Sequence, residues 1–593
     1  MGRAIGIDLG TTNSCAAIYE NGRPRLITYK GGETTIPSVF AIDDDGNRLV
    51  GHEAKQQAQL NPGNTVQASK RLIGRNFHSK TIDKVRQVFT YELVEGESSD
   101  ILIKVADQVF TLEQISAAIL RRIKEVAEEA LGEEVDQAVI TVPAYFNDRQ
   151  RQAVRSAGAL ANLKVLRVLN EPTAAALAYG LGRNLSARVA VYDLGGGTFD
   201  ISIIDIKDRI FEVVATGGDT FLGGVDFDDR VMQMVLQSFL DEHGVDLSWD
   251  RVAIQRIRDA AEEAKIRLST VTDTKIEVPY IANGESGALD VNKLLTRAHL
   301  EQLTEDLVAR TLDTCERIIG EANCEVTDVD EMLLVGGQSR MPLVQQKITA
   351  FIGKPPSKGV NPDEAVAIGA AMMAHSLAGQ GSEDLTLLDV LPMPIGINRV
   401  DGTMHVLFKK NQPLPDYKTR TLTTSKDNQR SIMLRLYQGE SKMVAENELL
   451  GTFVFSGIRP APKGKVQIEV TFHIDSEGIL NLTARDKATG QTVESMLKLG
   501  KGDEPKKKRR KKKRKTAEAK PAAPAAPPTP ITMPQSKIAE SLASEKPGDK
   551  KAAPPRAEPL KKVEKDLPAK VDSTKVEKSF WQKFLGFFGI GKD

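Results

Sequence analysis

At 593 residues the chain is too long for one hydrophobic core and should divide into several domains. Hydrophobic residues make up 40% and charged residues 27% of it, the balance of a soluble globular protein, and no stretch reaches the roughly 18 consecutive apolar residues of a membrane span. The formal net charge of zero conceals a split: residues 501–593 carry 25 Lys/Arg against 12 Asp/Glu, and the remainder 55 against 68, so only the tail has an electrostatic reason to meet nucleic acid or anionic lipid.

Met1 to Leu9 lack a signal peptide's basic region, longer apolar core and cleavage site, so a cytoplasmic protein is expected. Cys15, Cys315 and Cys324 form no Cys-x-x-Cys pair, which argues against a disulfide framework or a zinc site. Cys15 lies beside a Gly/Thr turn; a small buried strand residue is the better reading of it than a redox-sensitive thiol.

Residues 1 to about 380 alternate β-branched runs with amphipathic helical stretches, the pattern of an α/β fold. Ile5 to Thr12 reads as a strand running into an aspartate and a tight Gly/Thr turn. Leu112 to Ala130 has the three-to-four spacing of a helix, and Val139 to Val142 reads as a strand. Val189 to Thr198 repeats the first pattern: strand, Asp193, then Leu194-Gly195-Gly196-Gly197-Thr198. Glycine lets backbone N–H groups close on an anion, threonine hydroxyls add donors, and each aspartate can hold magnesium or its waters. One such turn is weak evidence, but two matching copies imply two lobes clamping a polyphosphate. Neither a Gly-x4-Gly-Lys-Ser/Thr nor a Gly-x-Gly-x-x-Gly fingerprint is present. A third glycine turn follows the apolar strand Leu333 to Val335 and leaves room for a base or ribose.

About Leu391 the pattern changes. Val466, Ile468, Val470, Phe472 and Ile474 alternate with polar residues, and Asp475-Ser476-Glu477-Gly478 turns the chain into Ile479 to Arg485, a hairpin in an all-β segment over 395–500. Globular character stops near residue 500. Lys506 to Lys515 are ten consecutive basic residues, followed by Pro/Ala/Lys-rich sequence expected to be disordered up to 578. Residues 579–593 hold Phe580, Trp581, Phe584, Phe587 and Phe588, an aromatic amphipathic segment suited equally to a membrane surface, a docking partner or folding back on the chain's own body.

The sequence resembles the DnaK-type, seventy-kilodalton heat-shock chaperones from Ala4 to about residue 500. The resemblance rests on IDLGTTNS at 7–14, KRLIGR at 70–75, VITVPAYFND at 139–148, NEPTAAALAYG at 170–180 and DLGGGTFD at 193–200. It continues through GDTFLGG at 218–224, VGGQSRMP at 335–342, NPDEAVAIGAA at 361–371 and LLDVLP at 387–392. It implies an actin-like two-lobed ATPase domain over 1–380, a linker over 381–391 and a β-sandwich peptide-binding domain over 392–500. It also implies ATP/ADP and Mg2+ as cofactors. The expected partners are unfolded or extended peptides, a J-domain co-chaperone and a nucleotide-exchange factor, and the expected state is a monomer.

By position, Gly10, Thr11, Thr12 and Asn13 resemble the first phosphate loop, and Gly195, Gly196, Gly197 and Thr198 the second. Asp8 and Asp193 resemble magnesium-positioning carboxylates acting through water. Lys70 resembles the lysine that orients the attacking water, with Glu171 and Asp200 as acidic partners. Glu262, Lys265, Ser269, Gly336, Gly337, Ser339, Arg340 and Asp363 resemble the adenosine pocket, where Ile266 stands in place of a basic residue found in some relatives. Pro143 and Arg151 resemble the family's relay between domains, and Leu385, Leu387, Leu388 and Asp389 its docking linker, which Thr386 interrupts. Ile397, Val400, Leu422, Ile432 and Leu434 resemble the peptide cleft, and Ser425 its arch; read without the resemblance, all five aliphatics are core. Where the family continues into a helical lid, this chain has its basic tail. The competing reading is an actin-fold ATPase that acts as a scaffold through that tail, on a membrane surface or nucleic acid.

Overall fold

A computed structural model describes residues 2–498 apart from 30, 87–88, 181–184, 285–286 and 380–384. Lys506–Lys515, the low-complexity stretch and Phe580–Phe588 therefore lie outside the described residues.

The first sheet is built on β1 (Arg3–Asp8), β2 (Asn13–Glu20), β3 (Val135–Val142) and β4 (Lys164–Asn170) in the order β4-β3-β1-β2, extended by Arg23–Leu26 and Ile36–Pro37. β1 is antiparallel to β2 and parallel to β3, with Ile5 opposite Ala138 and Ile7 opposite Ile140. Its continuous apolar run follows from burial on both faces. Two helices flank these strands: α1 (Leu112–Leu131), started by a Thr111/Gln114 capping box and stopped by Gly132 at φ 68°, and α2 (Asp148–Leu160), capped likewise by Asn147 and Gln150.

After α3 (Glu171–Gly180) the second lobe repeats the arrangement. β5 (Ser186–Leu194) is antiparallel to β6 (Phe199–Lys207), which pairs with β7 (Ile210–Asp219). Beyond the helices α4 (Gly224–His243) and α5 (Arg251–Arg267), strand β8 (Glu331–Val335) returns parallel to β5. Each lobe thus presents a hairpin whose first strand also has a parallel neighbour, so the repeat in the sequence is a repeat in space. Between the sheets, α3 packs on α6 (Ala365–Leu377), an Ala/Gly-rich pair. A Cβ on Gly369 would stand 1.8 Å from the Ala174 carbonyl oxygen, and one on Gly6 2.0 Å from the Ala371 nitrogen. Small residues are what let these layers approach.

The chain then adds a fifth strand, β9 (Thr386–Leu388), parallel to β7, giving the order β8-β5-β6-β7-β9. Beyond it, β10 (Ile395–Asn398), β11 (Met404–Phe408), β12 (Asp416–Thr423), β13 (Ser431–Gln438), β14 (Glu448–Ser456), β15 (Gln467–Ile474), β16 (Leu480–Asp486) and β17 (Glu494–Lys498) form two sheets, β11-β10-β13-β14-β17 and β12-β15-β16. Alternate residues face inward: Leu436 and Phe455 of one sheet and Ile468, Val470 and Phe472 of the other share one buried core. Among the described residues no helix is long and apolar enough to cross a membrane.

Candidate functional site

The two Gly/Thr turns converge on one cleft of about 610 Å³ between the lobes. Register explains the second turn: Asp193 pairs with Asp200 and Leu194 with Phe199, leaving residues 195–198 to close it through Gly195 N–H to the Thr198 carbonyl at 3.1 Å. In the first, Gly10 N–H donates to Ser14 Oγ at 3.1 Å. The turns face each other closely. A Cβ on Gly196 would meet Thr12 Oγ1 at 2.1 Å, and one on Gly197 would meet Thr11 Cγ2 at 2.4 Å.

Lys70 and Glu171, 101 residues apart in the sequence, make a 2.6 Å ion pair with side-chain exposures of only 7% and 9%. Three more carboxylates surround it, Asp193 and Asp200 buried and Asp8 half-buried. Burial, then the charge of Glu171, pushes Asp8 up to about 7 even though Lys70 opposes the shift and Thr141 Oγ1 donates to it at 3.2 Å. Asp200, which accepts the Tyr145 amide at 3.0 Å, is pushed up to about 8 by the same two causes. Asp193 is raised well above the carboxylate range, first by burial and then by Glu171, Asp200 and Asp8. One lysine against four carboxylates leaves a deficit of positive charge, and the donors are hard oxygens. That set fits a divalent cation such as Mg2+. Among the described residues no three His, Cys, Asp or Glu side chains lie close enough together to ligate an ion directly.

At the other end of the cleft, Glu262, Lys265, Ser269, Gly336, Gly337, Arg340 and Asp363 line one wall together with the exposed Ile266. Arg340 Nε donates to Asp363 Oδ2 at 3.0 Å and its terminal nitrogen to Asn361 Oδ1 at 2.9 Å. Gly336, at φ 81°, sits against the Leu194 carbonyl where a Cβ would come within 2.4 Å. Three predicted residues stand behind the lining. Ser339 turns its hydroxyl onto the Gly336 carbonyl at 2.7 Å, Gly197 offers its carbonyl to Arg71 Nε at 3.0 Å, and Asp200 is held by Tyr145. Sequence reading missed Asp228, which pairs with Lys265 at 2.9 Å, and Lys55, which reaches Glu262 at 3.5 Å from the other lobe. Asp228 stands only four residues beyond the 218–224 motif; Lys55 sits in a helix with no motif and gives no signal. Cys15 is buried in the cleft wall, and burial followed by Asp8 raises its thiol well above the ordinary range, so it is a protonated strand residue at neutral pH.

The predicted relay residues meet the β-rich region. Arg151 donates to the carbonyls of Phe146 at 3.1 Å and Ala144 at 2.9 Å, bracing the turn after Pro143, and reaches the Glu477 carbonyl at 3.3 Å. The Glu477 carboxylate pairs with Arg155 and accepts the Val168 amide at 3.1 Å. Asp389 accepts Asn170 Nδ2 at 2.7 Å. Leu385 and Leu387 pack into the apolar layer between the lobes, while Thr386 and Leu388 are exposed. The predicted cleft residues range from core to solvent: Ile432 and Leu434 are buried, Ile397 and Leu422 half-buried, Val400 and Ser425 exposed on loops.

A family model described as Hsp70 protein matches residues 4–582, running beyond residue 500, where the resemblance read motif by motif stops. A match over almost the whole chain, on a mixed α/β fold with paired phosphate-type turns and a following two-sheet β region, leaves one conclusion: the chain belongs to the Hsp70 family of ATP-dependent molecular chaperones.

Proposed function

We propose that this chain is a Mg2+-dependent ATPase that uses ATP binding and hydrolysis to control its grip on extended, apolar peptide segments. The observation that carries the reading is one sheet with two duties. β5 and β6 hold the second phosphate turn, and β9, the strand from the linker, pairs onto the far edge of the same sheet. A change at the turn therefore has a short, packed route to the linker and the β-rich region.

Within the ATPase over 1–380, Gly10 to Asn13 and Gly195 to Thr198 would cradle the phosphates from two sides. Asp8 and Asp193 would hold Mg2+ through its waters, and the ion would supply charge neutralisation of the phosphates. Lys70, fixed by Glu171, would orient the attacking water, with Asp200 behind it. Adenosine would lie along Glu262, Lys265, Ser269, Gly336, Gly337, Ser339, Arg340 and Asp363. This is catalysis by positioning and electrostatics, with no covalent intermediate. Pro143 and Arg151 would relay the nucleotide state through Leu385, Leu387, Leu388 and Asp389. The β-sandwich over 392–500 would hold peptide at Ile397, Val400, Leu422, Ser425, Ile432 and Leu434. A J-domain co-chaperone and an exchange factor are the expected partners.

Lys70→Ala tests the catalytic assignment. Single-turnover ATP hydrolysis should fall by about 100-fold or more, the usual loss for one preorganised electrostatic group, while equilibrium ATP binding stays mostly intact. Parent-level turnover in the variant would remove Lys70 from the mechanism.

A further inference from the structure

The end of the β-rich region where β10 and β12 finish and β13 begins carries an unbalanced charge. β10 runs beside β13 only as far as Ile397 opposite Leu436, so Ser431 to Arg435 have β14 on one edge and no paired strand on the other. Two loops flank that open edge: residues 399–403, with the exposed aliphatic Val400, and residues 424–430. An extended peptide could add its backbone there.

Both loops are internally braced. Gln429 Oε1 accepts the amides of Ser425 at 2.8 Å and Lys426 at 3.2 Å, and its Nε2 donates to the Ser431 carbonyl at 2.6 Å. The neighbouring loop 459–465 is tied on through Asn428 N–H to the Ala461 carbonyl at 2.9 Å. In this bracing the two acidic side chains are turned onto local donors. Asp401 accepts the amide and hydroxyl of Thr403 at 3.0 and 2.7 Å, and Asp427 accepts the Lys463 amide at 2.7 Å. The cations are not so engaged. Arg399, Lys426, Arg430, Lys463 and Lys465 are all exposed, and among the described residues none holds an ion pair. Arg399 is the exception: it bonds the ring of His405 at 3.0 Å and, after the Thr403 donors, helps to hold the Asp401 carboxyl below its usual range.

We propose that this rim selects extended peptides whose apolar centre is flanked by aspartate or glutamate. The proposal rests on the reading that this end of the β-rich region holds peptide, and adds its charge preference. Exposed ion pairs are individually weak and screened by salt, so the preference should be modest, additive over several cations and salt-sensitive.

The test uses the full-length chain with ADP and fluorescent peptides sharing one leucine-rich centre, flanked by aspartates, serines or lysines. By anisotropy at low salt, the aspartate-flanked peptide should bind about three- to tenfold more tightly than the lysine-flanked one. The gap should close at high salt, and the order should reverse in Lys426→Glu/Arg430→Glu. Equal affinities, or a lysine preference, in the parent chain would overturn the proposal. So would an aspartate preference unchanged in the double variant, which would move the charge to another site such as Lys506–Lys515. Failure of every peptide to bind would instead remove the peptide-binding reading itself, and the proposal with it.

Discussion

The carboxylate of Asp148 accepts the Leu480 amide of the β-rich region at 2.7 Å and Gln152 Nε2 of its own helix at 2.7 Å. Burial pushes this group up to about 6; the two N–H donors and Arg151 oppose the shift, and Asp475 adds to it. An aspartate freed to solvent titrates near 3.9, so the docked arrangement holds the proton more tightly than the undocked one. Docking should therefore weaken as pH rises from about 4 to about 6 and change little above that on this group's account, by on the order of 10- to 100-fold in the docking constant. Interdomain energy transfer in the ATP-bound chain measures it, and Asp148→Asn should flatten the slope. Docking that strengthens with pH, or a slope unaltered in the variant, would show that Asp148 is not the titrating group. At this scale the sequence was partly legible. The Gly/Thr turns with Asp8 and Asp193 announce themselves by local pattern, because phosphate binding needs consecutive backbone donors. Lys70 does not: within Ser69-Lys70-Arg71 it looks like a surface charge, and only tertiary contact with Glu171, 101 residues away, buries it.

Among the elements, β9 carries the coupling argument. Thr386 breaks the apolar run of the linker, which on sequence alone casts doubt on its docking. In a strand, however, side chains alternate, and Thr386 occupies the outward position while its amide donates to the Arg209 carbonyl at 3.1 Å. Leu385 and Leu387 do the packing. The face a short segment buries depends on the strand it joins, here β7, and no local pattern states that register. Leu387→Asp should uncouple the domains, abolishing the effect of ATP on peptide release while leaving basal hydrolysis measurable. Thr386→Leu should alter both by less than about twofold, as expected of an outward-facing position. A strong effect of Thr386→Leu together with none of Leu387→Asp would reverse the assigned faces.

Over the described residues, the order of the α/β and β-rich regions was legible and their contact was not. Alternating α/β followed by alternating β reads correctly from periodicity, because each element buries its own stripe. The seam between the two regions is made by single polar groups far apart in sequence: Tyr145 with Glu440, Arg151 and Arg155 with Glu477, Asn170 with Asp389, and Lys410 with Glu321 at 3.0 Å. Such a seam is rich in polar contacts, which suits an interface that forms and breaks. In the docked arrangement the β-rich region is held by these contacts, and control of peptide by nucleotide follows if ATP favours this arrangement over a separated one. Peptide dissociation from the full-length chain, followed by fluorescence anisotropy with ATP and then with ADP, tests that claim most directly. Release should be at least about tenfold faster with ATP, a coupling of ordinary size for linked sites, and identical rates with the two nucleotides would contradict it.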